Sequence, residues 1–294
     1  MALINREDIS QEVLDLYDDY AHNKINRRVF VERLSLFAVG TLTLPSLLSF
    51  LTPDYENATV NSADDRFTSK YITYDSPEGG GEITGLLSKP SNFEKQVPGI
   101  VVVHENRGLN PYVKDVGRRG AIDGFITLAP DALSPLGGYP GNDDDGRAMQ
   151  RKRDRLEMLE DFIAAYHYLK NHESCNGNVG VVGFCFGGWV ANMMAVQLPD
   201  LGAAVPFYGR QPSAEQAKEI QAPLMLQYAG LDERVNLGWP EYKKILEQND
   251  IEHEPYFYEE ANHGFHNYST PRYDKEAADL AWSRTIEFFR KHLA

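Results

Sequence analysis

Residues 179–188 read VGVVGFCFGG, an apolar run that leads into a cysteine with a glycine two positions to either side. A continuous run of β-branched residues is typical of a strand buried on both faces. A helical pattern follows at once. A reactive side chain held at so sharp a strand-to-helix turn leaves no space for bulky neighbours, which accounts for Gly183 and Gly187. The stretch therefore predicts a nucleophile, Cys185, whose thiolate the start of the helix favours; the alternative is a structural cysteine in a glycine-rich turn.

Strands and helices alternate along the rest of the chain after a polar linker near residues 57–66. Strands are predicted at 67–74, 82–88, 99–104, 125–129, 179–183, 203–208 and 223–228, and helices at 112–123, 147–171, 189–198, 239–249 and 273–292. This alternation predicts an α/β fold, a mostly parallel sheet with helices on both faces. Ligands of such sheets bind beyond the carboxyl ends of the strands.

Composition narrows the function classes. The 294 residues, 42% of them hydrophobic, can bury a sizeable core. A net charge of −14 repels phosphate backbones, so we expect no nucleic-acid partner. Two cysteines exclude a disulfide scaffold and a cysteine-rich zinc module. The histidines at 253, 263 and 266 form no H-E-x-x-H pattern, so we expect neither a metal nor a cofactor.

Two more strand ends supply partners for Cys185, in the chain order nucleophile, acid, histidine. Asp232 follows the strand at 223–228, and His263 follows the apolar residues 256–258. We expect Asp232 to fix the tautomer of His263, and His263 to take a proton from Cys185 and later to activate water. Each residue alone could be a solvated turn or a core side chain, but their positions and order favour a triad.

A third strand end carries the sequence HENRG at 104–108. The backbone amides of Asn106 and Phe186 are the expected donors to an oxyanion. A carboxylate at Glu105 could accept the hydrogen of the cysteine thiol, or it could cap the following helix.

These motifs together resemble the dienelactone hydrolase family of α/β-hydrolases over roughly residues 67–294. The resemblance rests on HENRG at 104–108, APD at 129–131, GFCFGG at 183–188, GLD at 230–232 and HGF at 263–265. It implies a Cys185–His263–Asp232 triad, a Glu105 that pairs with the resting thiol, and activity on small-molecule esters or lactones. Where the namesake enzymes hold a substrate carboxylate with arginines, this chain has residues 132–135 and 266–268, so Arg147, Arg151 or Arg210 would have to replace them.

The substrate pocket is predicted from aromatic and basic residues near the same strand ends. The candidates are Tyr139, Phe184, Tyr208, Arg210, Trp239 and Phe265. Such a lining suits a small apolar or aromatic ester. The leading hypothesis is a cofactor-free hydrolase; the alternatives are an acyltransferase that uses the same acyl-enzyme and a non-catalytic binding protein on a hydrolase scaffold.

Residues 1–66 lie outside the resemblance. An apolar run at 34–51 follows the pair Arg27–Arg28, which allows an export signal and a periplasmic location. Against that, residues 1–26 are acidic and no A-x-A-like cleavage site follows. Apolar residues at helical spacing instead favour two helices that pack either on the catalytic domain or on a sister subunit. Packing on a sister subunit would give a homo-oligomer. A cytoplasmic protein with an N-terminal helical extension is therefore expected.

Overall fold

The computed structural model describes residue 4 and residues 6–56 and 58–294; positions 1–3, 5 and 57, which belong to the predicted extension and linker, lie outside the described residues. The strands are β1 Phe67–Ser76, β2 Gly81–Pro90, β3 Val97–Val103, β4 Ile126–Pro130, β5 Cys175–Phe184, β6 Ala203–Phe207, β7 Leu224–Ala229 and β8 His253–Tyr258. The helices are α1 Gln11–Ala21, α2 Arg27–Leu34, α3 Leu44–Leu51, α4 Pro111–Ile122, α5 Asp143–Gln150, α6 Arg155–Lys170, α7 Phe186–Gln197, α8 Ala214–Ala217, α9 Glu233–Asn236, α10 Trp239–Gln248 and α11 Lys275–Leu293.

All eight strands form one sheet in the order β1-β2-β4-β3-β5-β6-β7-β8. The β1–β2 and β2–β4 pairs are antiparallel, and every later pair is parallel. Successive residues of β3 enter different cores: Val101 and Val103 pack on one face of the sheet, Ile100 and Val102 on the other. This burial on both faces explains the continuous apolar run in the sequence and confirms the predicted fold class.

The predicted helix at 147–171 is wrong as one element, because the chain breaks between α5 and α6. The carboxylate of Asp154 accepts hydrogen bonds from the backbone N–H groups of Leu156 and Glu157 and so starts α6. A side chain that caps a helix satisfies N–H groups that have no partner within it. The break separates Arg147 on α5 from Arg155 at the start of α6.

Within its described residues, the N-terminal extension contains three α-helices where two were predicted. The apolar run at 34–51 is not one helix: α2 ends at Leu34, and α3 starts after Thr43, which caps it, with Pro45 in its first turn. Within the described residues, no helix combines the length and the apolar character needed to cross a bilayer. The apolar faces of the helices, including Phe30 and Leu34, bury one another in a cluster made only of residues from this extension.

Candidate active site

Cys185 stands at the turn between β5 and α7, as the sequence predicts. Its backbone has φ 56° and ψ −110°, a conformation that side chains rarely adopt and that marks strained functional positions. The flanking glycines are required by space. A Cβ at Gly183 would lie 1.9 Å from the carbonyl oxygen of Gly187, and one at Gly187 would lie 2.4 Å from the carbonyl oxygen of Val103. The turn is thus fixed by close backbone contacts.

The structure brings Asp232 and His263 together at the same edge of the sheet. Nδ1 of His263 lies 2.5 Å from Oδ2 of Asp232, and both side chains are buried. Nδ1 therefore donates to the carboxylate, which leaves Nε2 as the nitrogen that can accept a proton. Nε2 has no hydrogen-bond partner among the described residues. A ring nitrogen of His263 lies within 4.8 Å of Sγ of Cys185.

A second histidine, which the sequence did not indicate, also contacts the nucleophile. His22 follows the last residue of α1, and its Nε2 lies 3.3 Å from Sγ of Cys185. The rings of His22 and His263 meet edge to face, with centroids 4.6 Å apart. No sequence signal ties His22 to Cys185, since 163 positions separate them and the extension lies outside the family resemblance.

These contacts set the charges of the site. Burial by itself raises the pKa of the Cys185 thiol, but the positive charges of His263 and His22 outweigh burial and lower the pKa to about 5. Burial by itself lowers the pKa of His263, but the carboxylate of Asp232 and the thiolate of Cys185 raise it. Both shifts favour a Cys185 thiolate beside a protonated imidazole, the form in which a cysteine is reactive.

The two predicted oxyanion donors, Phe186 and Asn106, line one cavity together. Phe186 is the first residue of α7, so its N–H has no acceptor within the helix. The loop of Asn106 is held by the extension, because its side chain donates from Nδ2 to the carbonyl oxygen of Ala21 over 2.7 Å. Neither residue's backbone N–H donates a hydrogen bond within the described part of the chain.

Glu105 does not contact the thiol, and this corrects the expectation drawn from the resemblance. Its Oε2 accepts a hydrogen bond of 2.8 Å from Nδ2 of Asn267 and lies 3.9 Å from Nε of Arg107. Helix-capping is wrong as well, because Asn110 caps α4. His22 occupies the place beside Sγ that was expected for Glu105, and the carboxylate instead joins the loops after β3 and β8.

Four of the six predicted pocket residues contribute to the core or to another cavity. Phe184 and Phe265 are fully buried in one sheet core, and Trp239 packs against Tyr228 in another part of the molecule. Arg210 lines a separate cavity near α7 and α10. Aromatic residues at the ends of buried strands also fill the core, which is why strand-end position alone was a poor guide to Phe184 and Phe265.

The two remaining pocket candidates have more specific positions. The ring of Tyr208 lies 4.9 Å from that of His263 between centroids, so Tyr208 packs directly on the histidine. The hydroxyl of Tyr139 donates to Asp143 over 3.0 Å, which fixes the loop that carries it. Tyr208 thus packs on the ring of His263, whereas Tyr139 belongs to a neighbouring polar network with Asp143.

Two cavities open near the nucleophile. One of about 710 Å³ lies between α1 and the loops after β7 and β8, and His263 and Asp232 line it. The other, of about 330 Å³, is lined by the two oxyanion residues and by basic side chains: Asn106, Phe186, Arg147, Arg151, Arg153 and Arg155. His263 and Asp232 thus line one space, and four arginines, two of which are paired with carboxylates, line the other.

The site also contains atoms that could hold a metal ion. One ligand atom each from His22, Cys185 and His263 lie within 4.8 Å of one another. A thiolate and two imidazoles suit Zn²⁺. However, a guanidinium nitrogen of Arg234 lies 3.4 Å from Nε2 of His22 and 3.2 Å from Nδ1 of His263. A fixed positive charge at that distance opposes a divalent cation, so the trio fits a charge-balanced thiolate better than a metal.

Comparison with known proteins agrees with the geometry. A family model described as the dienelactone hydrolase family matches residues 83–293, and a second model, described as YqhI-like, matches residues 1–39. A hydrolase fragment from Escherichia coli (strain K12), YghX, is 53% identical over 114 residues, which is 38% of this chain and 97% of that protein. A candidate carboxymethylenebutenolidase from Saccharolobus solfataricus is 30% identical over 76% of this chain and 98% of its own length.

Solved structures show the same fold. A dienelactone hydrolase-like promiscuous phosphotriesterase from metagenomic libraries superposes with a TM-score of 0.67 at 22% identity, and the match covers 78% of this chain and all of that one. The family match over residues 83–293 and the 30% identity to the Saccharolobus protein are decisive. The chain belongs to the dienelactone hydrolase family, and it is a hydrolase with the α/β-hydrolase fold.

Proposed function

We propose that this protein hydrolyses carboxylic esters or lactones through a thioester on Cys185. The observation that carries the proposal is the buried Asp232–His263 pair, which lies close to a cysteine held at a strained turn and whose Nε2 has no hydrogen-bond partner among the described residues. The side chain of an ordinary structural cysteine would not require this backbone conformation. The position of Cys185 at the start of α7 adds a favourable dipole for the thiolate.

The residues can carry out both halves of the reaction. Sγ forms a bond to the acyl carbon while the π electron pair of the carbonyl group moves to its oxygen. The resulting oxyanion accepts hydrogen bonds from the backbone N–H groups of Phe186 and Asn106. The carbonyl then re-forms, and the departing alkoxide takes the proton from Nε2 of His263. In the second half, Nε2 takes a proton from water, the remaining hydroxide bonds to the acyl carbon, and Sγ leaves as thiolate with release of the acid.

The basic cavity indicates the substrate class. Arg151 and Arg155 line it and form no ion pair among the described residues; Arg155 lies over the ring of Trp189, and Arg151 contacts Asn23. Arginines near a water-poor site attract carboxylates. The name of the Saccharolobus relative denotes an enzyme that acts on a lactone with a carboxymethylene group. We therefore propose anionic esters or lactones, with the acyl part beside the oxyanion donors.

Acyl-enzyme trapping tests the reaction. The protein is mixed with a chromogenic acetate ester and quenched in acid, and the intact mass and the peptide map are recorded. We expect one acetyl group on Cys185 and loss of turnover by at least about a thousandfold in Cys185→Ala. Cys175→Ala is the matched control and keeps both the adduct and the turnover, because Cys175 is buried in the sheet core.

Turnover that survives in Cys185→Ala would refute the thioester. The same assay separates hydrolysis from acyl transfer. If added alcohol captured nearly all acyl groups at low concentration, the protein would be an acyltransferase. Release of free acid under those conditions supports the hydrolase.

A further inference from the structure

The end of α1 presents an Asp–His pair to the nucleophile. Nδ1 of His22 lies 2.9 Å from the carbonyl oxygen of Asp18 and 3.1 Å from its carboxylate Oδ2. Both are acceptors, so Nδ1 must carry a proton. The other ring nitrogen, Nε2, then faces Sγ at 3.3 Å and is the nitrogen that titrates. This arrangement repeats that of Asp232 and His263 on a second side of the sulfur.

Contacts from the hydrolase domain hold this pair in place. Nη1 of Arg272, a buried residue, lies 2.6 Å from Oδ1 of Asp18. The carbonyl oxygen of Ala21, one residue before His22, accepts from the side chain of Asn106 over 2.7 Å. The side chain of His22 is only 15% exposed. The register of α1 is thus set by the same loop that carries an oxyanion donor.

The charges that face His22 come from four elements. Asp18 of α1 and the thiolate of Cys185 are negative, and both lie in direct contact with the ring. His263, after β8, and Arg234 of α9 are positive, with a guanidinium nitrogen of Arg234 3.4 Å from Nε2. The two negative groups lie closer to the ring nitrogens, Asp18 at 3.1 Å and Sγ at 3.3 Å, which favours the protonated ring.

We propose that His22 is a second catalytic histidine, a protonated imidazole that donates from Nε2 to Sγ and stabilises the thiolate. The proposal rests on the thioester reaction proposed above and extends it. His22 keeps its proton throughout, so it leaves His263 free to exchange protons with alcohol and water. Its hydrogen bond stabilises the sulfur both as the resting nucleophile and as the leaving group of the thioester. Asp18 is a positioning residue, because it acts through the ring of His22.

The pKa of His22 supports this assignment. Burial by itself would lower it, but the negative charge of Cys185 and the hydrogen bond to Asp18 raise it above its ordinary range. A histidine from the extension would also explain why α1 meets the hydrolase domain through polar side chains. The active site is then complete only when the extension is docked.

Titration of the Cys185 thiolate by its ultraviolet absorbance tests the proposal in the full-length protein. His22→Phe keeps an aromatic ring at this position and removes both nitrogens. We expect the thiol pKa to rise by at least about one unit, which is a tenfold loss of thiolate on the acid side. The acid limb of kcat/KM should move to higher pH by the same amount, because the thiolate is lost as pH falls through the thiol pKa. Asp18→Asn should shift both in the same direction, by less.

Gln11→Ala is the matched control. Gln11 also lies on α1 and docks it, through a 2.5 Å hydrogen bond to Asn262, but the described contacts do not join it to the sulfur. We expect an unshifted thiolate titration. An equal shift in Gln11→Ala would assign the effect to docking, and an unshifted titration in His22→Phe would overturn the proposal. A higher rate in His22→Phe at every pH would also overturn the proposal, since the role of the extension would then be to block access to Cys185. The titration needs no turnover, so failure of the thioester hypothesis would leave its result readable.

Discussion

The N-terminal helices and the hydrolase domain are stabilised in different ways. Apart from Ala21, the buried apolar residues of α1–α3 belong to a cluster of the extension's own side chains, whereas the hydrolase domain has two cores that share one continuous sheet. The two regions meet through polar contacts, such as Asp18 with Arg272 and Gln11 with Asn262. An interface of this kind depends on geometry and charge more than on apolar burial, so the extension can shift without unfolding the domain beneath it.

The active site draws on both regions. Cys185, Asp232 and His263 follow strands of the sheet, and their positions are fixed by backbone contacts. His22 is placed only by the docking of α1. The comparison predicts that perturbing the sheet removes catalysis altogether, while perturbing the extension tunes it.

The largest effect is expected at the turn that holds Cys185. In Gly187→Ala the new Cβ would lie 2.4 Å from a backbone oxygen of β3, so the turn must open and the sulfur must move. We expect ester hydrolysis to fall by at least about a thousandfold, because misplacing a nucleophile removes most of its contribution. Steady-state kinetics measure this.

Gly117→Ala is the control for that substitution. Gly117 lies in α4, and a Cβ there would meet its nearest atom, Oγ1 of Thr127, at 3.5 Å, an ordinary contact. Activity should be retained, with a gain in stability of up to about 1 kcal/mol from helix propensity. Equal losses in the two variants would show that the close contact at Gly187 is not the cause.

A buried leucine in each region tests whether the two cores are separate. Leu34 in the extension and Leu128 in β4 are both fully buried. Truncation of either to alanine should cost about 2–5 kcal/mol. In Leu128→Ala we expect the melting temperature of the whole protein to drop. In Leu34→Ala we expect faster amide hydrogen exchange in residues 11–51, with exchange in the sheet unchanged.

Mass spectrometry of the peptides measures the hydrogen exchange of both variants. Sheet peptides that lost protection in Leu34→Ala would show one cooperative unit, and the comparison drawn above would fail. The thiolate titration of Leu34→Ala should resemble that of His22→Phe, since a loosened extension withdraws the histidine.

The smallest effect is expected at the basic cavity. Arg155→Gln removes a guanidinium that lines the cavity and has no ion pair in the part of the chain that the structure describes. For an ester that carries a carboxylate, KM should rise by about tenfold, which corresponds to about 1.4 kcal/mol. For a neutral ester of similar size it should not change. Lys152→Gln changes the charge equally at an exposed neighbour and should alter neither value; a rise for both esters in Arg155→Gln would contradict charge recognition.

The sequence by itself determined the fold class and the positions of Cys185, Asp232 and His263 at one edge of the sheet. The reason is that apolar runs mark buried strands, and the carboxyl ends of neighbouring parallel strands meet at the same edge. The residues that leave those ends must therefore come close together. The steric need for glycine around Cys185 made the turn recognisable without coordinates.

Only the tertiary structure decided which partner each of these residues meets. Glu105 could reach a thiol, a helix end or an amide, and it bonds to Asn267 because the loop after β8 brings that side chain close. His22 has no mark in the sequence, since its contact with Cys185 spans 163 positions and depends on how α1 docks. Local sequence patterns determine whether a segment forms a strand or a helix. Contacts between distant loops depend instead on the packing of the whole chain.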